Sequence, residues 1–162
     1  MGVRGCGSMG VSSRKKLHLK MVESFRDLRV YKKAFRAART IFRCSESWPN
    51  EEKYALTDQI RRFSRSVFAN VAEAWRKRRY PKHFISKLSD ADAEAAETRA
   101  WLDAALDHGY IDESTYDDLD TTYDQISGSL VKMMTESDRW CGPADQVQEE
   151  HSAYATGSPL QK

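Results

Sequence analysis

The sequence predicts an all-α fold, an antiparallel up-down-up-down four-helix bundle. Three observations predict it. Apolar residues recur at spacings of three and four across residues 24–140. The apolar content is rich in Ala and aromatics rather than in Val and Ile, which favours helices over strands. Helix punctuation falls between the periodic segments, at Trp48-Pro49-Asn50, at Tyr80-Pro81 and at Gly109.

The first helix is expected over Phe25–Ser45, with Leu28, Tyr31, Phe35, Ala38 and Phe42 as its buried seam. Pro49 disfavours helical geometry at Trp48, and Asn50 is placed to cap the second helix. That helix is expected over Glu51–Arg79. Acidic Glu51 and Glu52 in its first turn and Arg76 to Arg79 in its last suit the helix dipole, and its seam is Leu56, Ile60, Phe63, Val67 and Val71. Pro81 suits the first turn of a third helix over Lys82–His108, whose register is Phe84, Leu88, Ala91, Ala95, Thr98, Leu102 and Ala105. Its many alanines permit close helix approach, and Gly109 fits a left-handed stop. The fourth helix is expected over Glu113–Asp138, capped by Asp112, with Tyr116, Leu119, Tyr123, Ile126, Leu130 and Met133 inward. Gly128 weakens it by roughly 1 kcal/mol relative to Ala but lies off the seam. Short connections imply antiparallel neighbours. Aromatics off the seams (Phe25, Phe68, Trp75, Trp101) predict an apolar stripe for self-association.

A chain of 162 residues suits one domain. Residues 1–23 read as a flexible basic leader, 24–140 as the bundle, and 141–162, with Gly142, Pro143, Gly157 and Pro159, as a disordered tail. Met21 stands just before the periodic region, so sequence leaves open whether residues 1–20 belong to the native protein. No apolar run reaches the roughly 18–20 residues of a membrane span, and the basic N-terminus has no apolar core of a secretory signal. Three scattered cysteines (Cys6, Cys44, Cys141) fit a reducing cytoplasm better than a disulfide scaffold.

The net charge of +2 conceals an asymmetry. Residues 1–82 hold 21 Lys/Arg and 7 Asp/Glu, a net of +14, whereas residues 83–162 hold 5 and 17, a net of −12. Such halves can pair within the bundle or between subunits, or leave one face cationic enough to attract nucleic acid. The densest basic run is Arg76, Lys77, Arg78, Arg79 and Lys82, with Trp75 and Tyr80 beside it for stacking on bases. Arg61, Arg62 and Arg65 extend it as candidate nucleic-acid contacts. The alternative is a solvated helix end that complements the dipole. On the second helix Gln59, Arg62, Ser66, Asn70 and Glu73 form a polar stripe at spacings of three and four. It reads as a bonded stripe in which Arg62 meets Glu94 or Glu97, or else as a ligand groove.

No catalytic constellation is legible. A di-metal bundle needs Glu-x-x-His pairs, but Tyr80 and Ala105 precede His83 and His108 by three. Phosphate-binding glycine loops and a nucleophile elbow are missing from the sequence. Asp90, Asp92, Glu94 and Glu97 fit as partners of the basic second helix better than as a catalytic pair. The expectation is a protein without catalytic residues, metal, cofactor or small-molecule substrate, and without a membrane partner.

Several blocks resemble a known family. They are Phe25-x-x-Leu28-x-Val30-Tyr31-x-x-Ala34, Trp48-Pro49-x-Glu51-Glu52-x-Tyr54-x-Leu56-x-x-Gln59-Ile60-Arg61-Arg62, and Ser66-Val67-x-x-Asn70-Val71-Ala72-Glu73. Further blocks are Ala91 to Thr98, Trp101-Leu102 and Gly109-Tyr110-Ile111. Over about residues 25–135 they resemble the bacterial family of 23S rRNA intervening-sequence proteins, to which the accessory variability determinant of diversity-generating retroelements is similar. The resemblance implies a four-helix bundle assembling into a homopentameric ring with no known enzymatic activity. In the retroelement branch it implies RNA and a reverse transcriptase as partners. The chain departs from the pattern at Phe68, where the family usually has Pro, at Ala74, where it usually has Gly, and at Tyr80-Pro81, which replaces a more polar turn.

Overall fold

A computed structural model describes residues 22–141. Both ends of the chain, including most of the expected leader and tail, lie outside the described residues. The described chain is helical throughout, with four α-helices: α1 (Arg29–Cys44), α2 (Leu56–Lys77), α3 (Pro81–Asp107) and α4 (Glu113–Thr135). Each packs against its neighbours in the cyclic order α1–α2–α3–α4–α1, which is a four-helix bundle. The helix ends fix an alternating direction. Trp48, after α1, lies with its ring centroid 5.7 Å from that of Tyr110, which lies just beyond α3. Trp75, near the end of α2, shares a cleft with Trp140, beyond α4.

The helices are shorter than the sequence periodicity implies because single 3-10 turns occupy several ends. Ser24 caps the turn Phe25–Asp27 in a reciprocal box with Asp27, and α1 starts only after it. Asn50 opens a 3-10 turn instead of capping α2; Ala55 precedes that helix, and Glu52 Oε2 accepts a hydrogen bond from the Leu56 amide at 3.3 Å. At α4 the expected cap holds: Asp112 accepts from the Thr115 amide at 2.7 Å, and the Thr115 side chain, followed by that amide bond, keeps its carboxyl below the usual carboxylate range. Gly109 takes a φ of 72°, the left-handed stop after α3.

The expected seam of α2 is wholly buried, as is that of α3; on α4 Leu119, Tyr123, Ile126, Leu130 and Met133 are buried, whereas Tyr116 is only half-buried. The expected seam of α1 holds at Leu28 and Ala38 and is corrected at Tyr31, Phe35 and Phe42. The buried residues of α1 are Val30, Ala34, Ala37, Ala38 and Ile41, while Phe35 and Phe42 are 45% and 38% exposed and Tyr31 is half-buried. Small side chains bring this helix close to the core, and its aromatics are displaced to the edge facing α2. There Tyr31, Phe35 and Phe68 form a cluster with ring centroids 5.2–6.2 Å apart, and Phe25 lies 5.0 Å from Tyr31. Trp75, expected off the seam, is buried as well.

Four buried side-chain atoms among the described residues lack a hydrogen-bond partner: Thr57 Oγ1, Glu94 Oε2, the Tyr123 hydroxyl and Trp140 Nε1. Burial raises the pKa of the Tyr123 hydroxyl, and the nearby Ser64 hydroxyl opposes the rise. Tyr123→Phe removes that oxygen and keeps the ring. Thermal unfolding should be unchanged or up to about 1 kcal/mol more stable. A loss larger than that would show that the hydroxyl is bonded in solution.

Candidate nucleic-acid interface

The predicted basic cluster divides into three environments. At the end of α2, Arg78 Nη1 donates to the Trp75 carbonyl at 2.7 Å, and its guanidinium lies 4.1 Å from the Trp75 ring centroid. It thus satisfies a carbonyl left open by the helix end. Lys77 is paired to Glu73 at 2.7 Å, and Glu73 also receives Lys87 at 3.2 Å, with Lys87 reaching Asp90 at 3.2 Å. Lys77 and then Lys87 hold the Glu73 carboxyl below its ordinary pKa. Arg76, Arg79 and Lys82 are exposed, and Arg76 and Lys82 have no ion-pair partner among the described residues.

Further up α2, Arg61 Nε donates to Ser45 Oγ at 2.7 Å, and Nη2 to the Phe42 carbonyl at 3.4 Å. Arg61 and Arg65 lie 4.7 and 5.7 Å from the centroid of the exposed Phe42 ring. Arg62 is a correction to the expected stripe. It lies over Phe63 at 4.9 Å and forms no ion pair with Glu94 or Glu97. The helix rotation leaves Arg62 exposed while one Glu94 oxygen is buried without a partner and Glu97 is exposed. Gln59, Ser66, Asn70 and Glu73 are half-buried, and Asn70 Nδ2 donates to Ser66 Oγ at 3.4 Å.

The most basic element escaped the sequence reading. The 16 residues of α1 include Arg29, Lys32, Lys33, Arg36, Arg39 and Arg43 and no acidic residue. None of the six has an ion-pair partner among the described residues; Lys33 Nζ donates to Gln125 Oε1 at 2.6 Å. Counting cations along α1 in isolation would have found this signal. Arg29, Lys32, Lys33 and Arg36 line one wall of a groove of about 590 Å³ between α1 and α4, with Thr115, Asp118 and Thr122 on the other. The acidic half of the chain, meanwhile, is partly occupied within itself. Arg99 holds Asp120 through two bonds at 2.6 and 3.1 Å and reaches Asp124 at 3.3 Å, and the Asp120 bond raises the Arg99 pKa. Among the described residues, no three His, Cys, Asp or Glu side chains gather as a metal-holding group, and no helix is long and apolar enough to cross a membrane.

Residues 26–132 match the family described as 23S rRNA-intervening sequence protein. The chain belongs to this family. The match takes in α1, α2 and α3 whole and α4 as far as Lys132, so it covers the α1 cations, the α1–α4 groove and the basic turn after α2. A crystal structure of a protein of unknown function from the S23 ribosomal protein family of Bacteroides thetaiotaomicron is similar. The identity is 26% and the TM-score 0.58, over 65% of this chain and 97% of that one. No curated protein matches the chain.

Proposed function

We propose that this protein is an oligomeric helical bundle, a five-subunit ring in the cytoplasm, that binds RNA by charge and carries no catalytic step. One observation carries the RNA reading: among the described residues, most cations of the basic half form no ion pair with the acidic half. Ion pairs occupy Lys77, Lys87, Arg99 and Arg139. Arg29, Lys32, Arg36, Arg39 and Arg43 of α1, with Arg62, Arg65, Arg76 and Lys82, remain exposed and unpaired among the described residues. Unpaired cations on rigid helices suit a polyanion. The family's name, which refers to 23S rRNA, points to the same chemistry. The aromatic edge around the exposed Phe35 supports self-association.

Binding to a short structured RNA, followed by fluorescence anisotropy with the mass monitored by light scattering, tests both parts. Affinity should fall steeply as salt rises. Replacing both Arg76 and Lys82 by Glu should lower the slope of log affinity against log salt by about 1.4–1.8, two phosphate contacts' worth. Salt-independent binding, or none at low salt, would overturn the RNA reading, and a monomeric mass would overturn the ring.

A further inference from the structure

From the α1–α4 groove we infer that a single RNA strand lies along it, phosphates on α1 and ribose hydroxyls toward α4. This rests on the RNA reading above and gives it a location and a sugar preference. The two walls differ in chemistry. Arg29, Lys32, Lys33 and Arg36 on the α1 wall offer cationic donors only. On the α4 wall Thr115 and Thr122 carry hydroxyls and Asp118 an exposed carboxylate. Asp118 has no ion pair among the described residues although a cationic wall faces it.

A carboxylate repels phosphate, so a surface meant only for charge attraction is weakened by Asp118. It is suited to accept a hydrogen bond from a 2′-hydroxyl, which DNA lacks. The groove also lies apart from the aromatic edge of the same helix. With 3.6 residues per turn, Tyr31, Phe35 and Phe42 fall within about 40° of one another. Arg29, Lys33 and Arg36 centre more than about 100° away, toward α4. Assembly through the aromatics therefore leaves this groove open. Lys33 of the α1 wall also donates to Gln125 Oε1 of α4 at 2.6 Å.

The test uses the full-length protein and a matched pair of mixed-sequence single-stranded oligonucleotides, one RNA and one DNA. The wild type should prefer RNA by at least fivefold. Lys32→Glu with Arg36→Glu should weaken RNA binding more than tenfold at unchanged helicity and mass. Asp118→Ala should raise affinity for both strands while collapsing the preference. Equal affinity of the wild type for the two strands would overturn the inference, as would an undiminished preference in Asp118→Ala. A changed mass in the double charge reversal would make the groove a subunit contact and overturn it as well. RNA binding that survives the double reversal removes the groove but leaves RNA binding elsewhere on the protein, whereas a wild type that binds neither strand removes both.

Discussion

Phe84→Ala is expected to lower the stability of the bundle by about 3–5 kcal/mol, the range for emptying a fully buried aromatic site. Phe84 has no exposure at all, sits one turn into α3, and shares the core with Trp75 and Leu88. Domains of this size are stable by roughly 5–15 kcal/mol, so the change removes a large share of the total. In thermal unfolding it should appear as a drop on the order of 10–20 °C. Phe35→Ala is the control, being nearly half exposed, and should cost the isolated chain less than about 1 kcal/mol. A chemical denaturation series on both variants separates them, provided the protein is dilute enough to be monomeric. Equal losses would mean that the α1 seam runs through Phe35 after all, and a loss below about 1 kcal/mol for Phe84→Ala would contradict the packing of α3.

The contrast between α3 and α1 shows what the sequence could and could not reveal. On α3 Phe84, Leu88 and Leu102 share one stripe with small residues between them, and all seven seam positions are buried, while Ile85, Trp101 and Leu106 off that stripe are partly buried. On α1 two stripes compete. Tyr31, Phe35 and Phe42 follow the helical period, but so do Val30, Ala34, Ala37 and Ile41. Side-chain size favours the aromatics, yet packing favours the alanines, because a helix with small residues can approach its neighbours more closely. Charge would have decided between them. The six cations of α1 centre roughly opposite Ala34 and Ala38, and well away from the face opposite the aromatics. The charge asymmetry of the two halves was legible, but its destination was not. Whether Arg62 meets Glu94 depends on the rotation of two helices about their axes, which no spacing rule sets. The Arg99 clamp on Asp120 and Asp124 escaped for the same reason.

Phe35→Glu joins assembly to binding and should have the largest effect on RNA affinity of any single change outside the cations. Phe35 is exposed, touches Phe68 and Tyr31 at the edge of α1, and bears no part of the core. A carboxylate there leaves the bundle folded but places a charge where two subunits would bury apolar surface, which is costly without a partner. On the proposed reading the ring falls to monomers. Each monomer keeps its cations, so the site itself is intact. What disappears is the repetition of that site around the ring, and linked sites can exceed single-site affinity by about 10²–10⁴. RNA long enough to touch several subunits should therefore bind at least about a hundredfold more weakly to Phe35→Glu, whereas a strand short enough for one site should bind as it does to the wild type. Light scattering and anisotropy on the same samples read both effects. Loss of mass without loss of long-RNA affinity would show that one subunit carries the binding alone. An unchanged mass would place the assembly contact elsewhere than the aromatic edge.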